Sequence, residues 1–485
     1  MPSRRHFLSS LLALPFGFGA CAQTAPLPPT SWPPPDAPAA GPLPPAVAQA
    51  LQQANLPPQA LAVLVQDLQG NTTRLSLNAA APMNPASVMK LATTAAALDL
   101  LGPAWSWRTP VWVQGSVERG RLRGSVVIQG RGDPKLTQER LYLLMRRLRA
   151  WGIDEIDGDF VLDRSAFEPA AGAPGDFDGE ALRPYNVLPD ALLLNLRALT
   201  LSFMPDAARG VARVGLEPPL DGVQLDTRVP LSNGPCGDWR GTLKADFNDP
   251  ARLHLAGRYP LSCGERFWPV AYADPAAFDA RLLQALWQEA GGRLRGGVRE
   301  GRAPGDAAPT FELGSPPLAE VVRDINKFSN NVMAQQLFLT LALEQQGLGS
   351  TAGARTVLSG WLQRRLGAAA VDGAVIDNGS GLSRQTRLSA ALLGRLLQAA
   401  WAAPWMPEFM ASLPIQGLDG TLRRWAGEPG RAHLKTGSLR DVSAVAGYVL
   451  GRSGRRHALV ALVNHPQAAA ARPVLDALLQ WTLED

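Results

Sequence analysis

Ser87 and Lys90 stand three residues apart in Asn84-Pro85-Ala86-Ser87-Val88-Met89-Lys90, just ahead of the run Leu91-Ala92-Thr93-Thr94-Ala95-Ala96-Ala97-Leu98. On a helix this spacing sets a hydroxyl and an amine on one face. A serine hydroxyl is a poor nucleophile until a neighbouring base takes its proton, so the pair suits acyl transfer. A lysine can be that base only where burial and nearby positive charge depress its pKa. The apolar run supplies the burial. The helix N-terminus near Ser87 adds a positive dipole end and backbone N–H groups for an oxyanion. Taken alone, S-x-x-K is more often a capping serine followed by a surface lysine.

Two more short motifs bear chemistry. Ser329-Asn330-Asn331 opens a helical pattern: a second hydroxyl can relay a proton to a leaving amine, and Asn331 can hold Lys90 and a substrate amide. By itself it is an ordinary helix cap. Lys435-Thr436-Gly437-Ser438 lies where a strand begins. A cation, a hydroxyl and a glycine let a substrate backbone lie along a sheet edge with its carboxylate paired. Singly, such a triplet is just a strand start.

The elements that must position these motifs are legible in outline. Pro45-Ala46-Val47 starts a helix with proline in the first turn. Leu61–Val65 and Arg74–Leu77 flank Gln69-Gly70-Asn71 and predict a β-hairpin. The Ala-rich segment after Ser87 predicts a buried helix. From about 108 to 310 the texture shifts to short alternating stretches between Gly, Asp and Pro turns, which predicts a β-rich insertion. Helical patterns resume near Pro317 and run through Asn331 to Leu343. Ser443–Leu450 and His457–Val463 predict adjacent antiparallel strands, and a final helix runs from Pro473 to Thr482.

Together the motifs change the odds. They come in the order S-x-x-K, S-x-N, K-T-G, each on the element its role requires, and this resembles the penicillin-binding protein and serine β-lactamase superfamily. The gap from Ser87 to Ser329, 329 − 87 = 242 residues, is long for a simple β-lactamase. It resembles the D-alanyl-D-alanine carboxypeptidase/endopeptidase family (class C low-molecular-mass penicillin-binding proteins, peptidase family S13). Further matches to that family are Gly130-Arg131-Gly132-Asp133-Pro134-Lys135-Leu136, with Lys135 for its Thr, and Asp377-Asn378-Gly379-Ser380-Gly381-Leu382-Ser383-Arg384, with one extra Asn. Leu413-Pro414-Ile415-Gln416-Gly417-Leu418-Asp419-Gly420-Thr421-Leu422 also matches, with Gln416 for its Ala.

The resemblance implies a multi-domain α/β protein with the serine β-lactamase/DD-peptidase (transpeptidase-like) fold: an antiparallel sheet flanked by helices, a helical subdomain and inserted β-rich domains. It implies a peptidase domain over 45–110 and 311–485 and an insertion over 111–310. Ser87 would attack the carbonyl between two D-alanines, with Lys90 as base and Ser329 and Asn331 as proton relay and substrate guide. Lys435 and Thr436 would bind the terminal carboxylate on a strand that includes Gly437, and the N–H groups of Ser87 and Ser438 would form the oxyanion hole. Arg384 matches a position near the substrate's side-chain end. Asp178 is a weaker candidate there for the amine of a diamino acid, surface salt-bridging being equally in keeping. Arg440, after the K-T-G motif, adds charge near the cleft. No cofactor and no metal is expected. The implied partners are peptidoglycan stem peptides and cross-links, with β-lactams as inhibitors.

Rival chemistries fit less well. The chain has five histidines and no G-x-S-x-G elbow, which disfavours a Ser-His-Asp hydrolase. A β-lactamase or esterase of the same superfamily shares the motifs, but no clear E-x-x-L-N segment is present. An inert cell-wall-binding protein would not need the intact motif residues.

Composition bounds the rest. A chain of 485 residues predicts two or three domains, and 46% hydrophobic with 18% charged residues is that of a soluble globular protein. A net charge of +5 without a dense basic stripe is no nucleic-acid footprint. Arg4-Arg5 and the apolar stretch Phe7–Ala20 predict a signal peptide over 1–22, of either the general or the twin-arginine type. Cleavage after Ala22 and lipidation of Cys21 both fit, so a membrane is met only through a lipid anchor. Residues 23–44 form a Pro-rich linker. In an exported, periplasmic protein Cys236 and Cys263 favour a disulfide, two free buried thiols being the alternative.

Overall fold

The computed structural model describes residues 42–70 and 72–485. The predicted signal peptide, Cys21 and all but the last three residues of the predicted linker lie outside them.

Five antiparallel strands form the sheet that carries the K-T-G motif. Their spatial order is Ala432–Leu439, Val442–Leu450, Arg456–Asn464, Leu61–Asp67, Thr73–Leu77. Strand Leu61–Asp67 is buried along its whole length. Successive side chains of a strand face opposite ways, and here both faces are covered. Leu61, Val63 and Val65 join Val47, Leu51, Leu475 and Leu478 of the terminal helices Pro45–Gln53 and Arg472–Leu483. Ala62 and Leu64 face the opposite layer, a helical cluster built from Lys90–Leu101, Leu318–Lys327, Asn331–Gln346, Thr351–Leu366 and Ala390–Trp401. Helix Lys90–Leu101 is buried from Lys90 to Leu98, as its alanines allow. The three motifs therefore sit where the sheet edge meets this helical layer.

Residues 108–314 build three further sheets, of seven, five and three strands. They share one core that includes Val126, Phe160, Leu199, Phe203 and Trp287. The expectation of β texture missed two long helices, Gln138–Ala150 and Pro275–Glu289. In the first, Leu141, Leu144, Met145 and Leu148 repeat at helical spacing and are buried, while Arg140, Arg146, Arg147 and Arg149 lie among the outward positions. Cys236 and Cys263 are joined in a disulfide.

The insertion is tied to the helical layer by polar contacts. Gln336, fully buried on helix Asn331–Gln346, accepts from the Asp190 backbone N–H (2.9 Å) and donates to the Asp190 carbonyl (2.8 Å). The Asp190 carboxylate meets Arg164 (2.6 Å) and Arg197 (2.7 Å), and both guanidiniums also reach the buried Asp279 (2.5 and 3.0 Å). Lys135, the departure from the family pattern, forms an ion pair with Asp324 of helix Leu318–Lys327 at 2.5 Å.

Candidate active site

Ser87 lies in a 3₁₀ turn, Ala86–Met89, which runs directly into the α-helix that begins at Lys90. This differs from the expected regular helix and improves the pairing. At three residues per turn, positions i and i+3 eclipse, and Lys90 Nζ lies 2.9 Å from Ser87 Oγ. Asn84 fixes the turn. Its side chain accepts from the Ala86 N–H (2.9 Å) and donates to the Ser383 carbonyl (2.8 Å), while its backbone is paired with the Asn464 side chain.

Gly437 explains how the sheet edge reaches the Ser87 turn. A Cβ there would lie 2.6 Å from the Pro85 carbonyl oxygen and 3.1 Å from the Ser87 nitrogen. Only a residue without a side chain lets strand Ala432–Leu439 pack against the serine turn. Ser438 follows, exposed at the edge.

The second motif occupies the bend between helices Leu318–Lys327 and Asn331–Gln346. Asn330 caps the second helix by accepting from the Met333 N–H (3.0 Å). Ser329 has φ +56°, a left-handed conformation that a non-glycine residue adopts at a cost. This bend presents both flanking polar groups to the cleft. Asn331 Oδ1 accepts from Lys90 at 2.6 Å, and Ser329 Oγ accepts from Lys435 at 2.9 Å. The motif thus bridges two buried lysines, each fully shielded from solvent.

Lys90 has a third partner that the motifs do not announce. It donates to the Ser380 carbonyl at 2.6 Å. Asn378 shapes that loop by accepting from the N–H groups of Ser380 and Gly381, both at 3.0 Å. Gly381, at φ +75°, lies so close to Ala86 that a Cβ there would meet the Ala86 carbonyl oxygen at 1.9 Å. Thr93 on the nucleophile helix adds a bond to the Gly379 carbonyl (2.8 Å).

These contacts set the electrostatics. Burial, and next the positive charge of Lys435, hold the Lys90 pKa well below the usual lysine range. Burial alone brings Lys435 down to about 7. Neither lysine has a carboxylate within the hydrogen bonds described above. A neutral amine has two N–H groups and one lone pair. For Lys90, the Asn331 and Ser380 oxygens can only accept, so they take both N–H groups. The lone pair is left for the Ser87 hydroxyl.

A cleft of about 460 Å³ opens beside this cluster. Asn331, Ser380, Arg384, Asp176, Phe177 and Tyr185 are among its lining residues. Arg384 stacks over the Phe177 ring (4.8 Å) and pairs with Asp441 (3.0 Å). Asp178 does not line the cleft. Its carboxylate accepts from Tyr185 (2.9 Å) and Asn186 (2.7 Å), which do. The structure therefore groups Ser87, Lys90, Ser329, Asn331, Lys435 and Gly437 tightly, with Arg384 on the cleft wall and Asp178 behind it. Sequence reasoning missed Asn84, Asn378, the Ser380 carbonyl and Thr421, whose hydroxyl lies 2.7 Å from that of Thr436.

Among the described residues, no group of three or more His, Cys, Asp or Glu could hold a metal ion, and no helix is long and apolar enough to cross a membrane.

A serine hydrogen-bonded to a buried lysine, set between a helical layer and the edge of an antiparallel sheet, is the arrangement of an acyl-transferring serine hydrolase of the penicillin-recognising class. The model of the D-Ala-D-Ala carboxypeptidase 3 (S13) family matches residues 43–484, and the chain belongs to that family. It is therefore an enzyme, a serine-type hydrolase. A D-alanyl-D-alanine carboxypeptidase of Actinomadura sp. (strain R39) is 29% identical over 418 residues, covering 81% of this chain and 75% of that protein. The D-alanyl-D-alanine carboxypeptidase DacB of Haemophilus influenzae is 24% identical over 413 residues, covering 83% and 82%. In fold, the chain is similar to the crystal structure of penicillin binding protein 4 from H. influenzae, with a TM-score of 0.72 at 22% identity, covering 90% and 98%. A structure of that protein complexed with a β-lactam gives 0.67.

Proposed function

We propose that the chain is a serine DD-peptidase that cleaves D-Ala-D-Ala termini, D-Ala–diamino-acid cross-links of peptidoglycan, or both, through an acyl-enzyme on Ser87. The observation that carries this is the Lys90 nest: Nζ lies 2.6 Å from both the Asn331 and the Ser380 oxygens and 2.9 Å from Ser87 Oγ. Ser87 Oγ bonds to the carbonyl carbon of the penultimate D-alanine as its proton passes to Lys90. The N–H groups of Ser87 and Ser438 hold the oxyanion. The C–N bond then breaks, and the leaving nitrogen takes a proton relayed by Ser329. Lys435 and Thr436 hold the leaving residue's carboxylate, and Asn331 orients the acyl side. Water cleaves the ester by the reverse proton route. Arg384 faces the acyl-side chain across the cleft, and Asp178 sets Tyr185 and Asn186 from behind it.

β-Lactams acylate the same serine in this reading. Incubation with fluorescent penicillin should leave a persistent adduct, seen in the intact mass and lost in Ser87→Ala. Rapid drug turnover would make the chain a β-lactamase, and no adduct would sink both. Peptides ending in D-Ala-D-Ala and cross-linked muropeptides divide carboxypeptidase from endopeptidase.

We place the site of action in the periplasm. The predicted leader and the Cys236–Cys263 disulfide support export. With those two cysteines paired, Cys21 is the one left of three, suited to a lipid tether or to removal with the leader. The mass of the mature N-terminus separates the two.

A further inference from the structure

Thr421 sits in the loop Gly420–Leu422, exposed, beside the carboxylate-binding end of the proposed cleft. Its Oγ1 lies 2.7 Å from Thr436 Oγ1, a full hydroxyl–hydroxyl hydrogen bond. The loop that carries it is held firmly. Asp419 accepts from the Ile415 N–H through one oxygen (2.7 Å) and pairs with the buried Lys327 through the other (2.5 Å). Gly420, at φ +55°, lies so close to the Ser329 bend that a Cβ would meet the Lys327 carbonyl oxygen at 2.6 Å. Thr421 is thus fixed relative to both Ser329 and the strand that bears Thr436.

Two hydroxyls joined by one hydrogen bond have one O–H left over. In the unliganded protein Thr436 donates to Thr421. We propose that Thr421 is a positioning residue for carboxylate recognition: when the terminal carboxylate of the substrate arrives the pair reverses, Thr421 donating to Thr436 and the Thr436 O–H turning to the carboxylate. A hydroxyl both donates and accepts, so the reversal needs only rotation of the two O–H groups. Lys435 Nζ, held by Ser329 Oγ (2.9 Å) and the Thr436 carbonyl (2.7 Å), fixes the strand beside that pair. Each donor in such a chain polarises the next, so Thr421 strengthens a bond it does not itself make. The inference rests on the proposed DD-peptidase reading, which supplies the carboxylate.

The test compares two peptides, one ending in D-Ala-D-Ala with a free carboxylate and one with that terminus amidated. Loss of one hydrogen bond to a charged group should raise KM for the free acid about tenfold in Thr421→Val, with kcat and the amide kinetics changed far less. Thr421→Ser should restore the acid preference. Equal effects on acid and amide, or no effect on either, would overturn the inference. Wild-type enzyme that forms no penicillin adduct and cleaves neither peptide would instead refute the DD-peptidase reading, a separate outcome. Thermal melts of both variants show that they fold, as the exposure of Thr421 leads one to expect.

Discussion

Two clusters of cations largely shielded from water are built oppositely in this molecule. At the junction of insertion and helical layer, Arg164 and Arg197 share the carboxylates of Asp190 and Asp279. Burial works against the Arg164 charge, but Asp279 and then Asp190 outweigh it, and its pKa rises. In the active site, Lys90 and Lys435 face hydroxyls and carbonyls instead, and both pKa values fall. A buried cation with counter-charges holds its proton firmly; one without them yields it more readily. The sign of the shift thus separates the two clusters.

Four experiments break or sharpen this contrast. The largest effect is expected in Lys90→Arg, which keeps a charge that cannot be surrendered. Acylation by penicillin should slow about 10³-fold, read by stopped-flow fluorescence. Next, Asp279→Asn strips a counter-charge from the arginine cluster. Breaking a buried pair on one side should cost about 3 kcal/mol in denaturant melts, while the acylation rate of the remaining folded enzyme stays near that of the wild type.

Third, Asn331→Asp brings a counter-charge into the active site and makes it resemble the arginine cluster. A carboxylate beside Lys90 favours the ammonium, so the acid limb of kcat/KM should move up by about one pH unit or more. The wild-type profile itself should fall on the acid side as Lys90 gains a proton. It should fall on the alkaline side, from about pH 7, as Lys435 loses the charge that draws the carboxylate. Smallest is a stability slope. Between about pH 7 and the ordinary lysine pKa of 10.5, the unfolded chain holds a proton that folded Lys435 lacks. Stability should therefore rise with pH in that window, by up to ~1.4 kcal/mol per pH unit, and level off below it. Lys435→Met should lack that part of the slope in melts across the window.

What the sequence revealed follows the same division. Ser87 and Lys90 were legible because three residues of spacing carry their contact. Ser329, Asn331 and Lys435 were legible through order and setting. The Ser380 carbonyl was not, since any residue carries such an oxygen and only the loop fold aims it at Lys90. Asn378, which looked like one Asn too many, is the residue that shapes that loop. Thr421 was quoted within a motif but given no role, because its partner lies on another segment. In the insertion, strand Val298–Glu300 pairs in parallel with Phe160–Asp163, and no local pattern announces a partner so far along the chain. Helix Gln138–Ala150 was readable in its leucine spacing but was hidden by the surrounding β texture.

An inner strand of the five-stranded sheet carries one last consequence. Leu61–Asp67 pairs on one side with Thr73–Leu77, but on the other with Arg456–Asn464, Leu61 lying opposite Val463. During vectorial synthesis Leu61–Asp67 can meet Thr73–Leu77 early, but almost the entire chain must emerge before Arg456–Asn464 is available. The insertion, whose strands are contained within it, can condense earlier. The serine turn meets the Gly437 edge only when the C-terminal strands zip into place. A chain that stops short of Gly437 therefore carries Ser87 without the strand edge that packs against its turn.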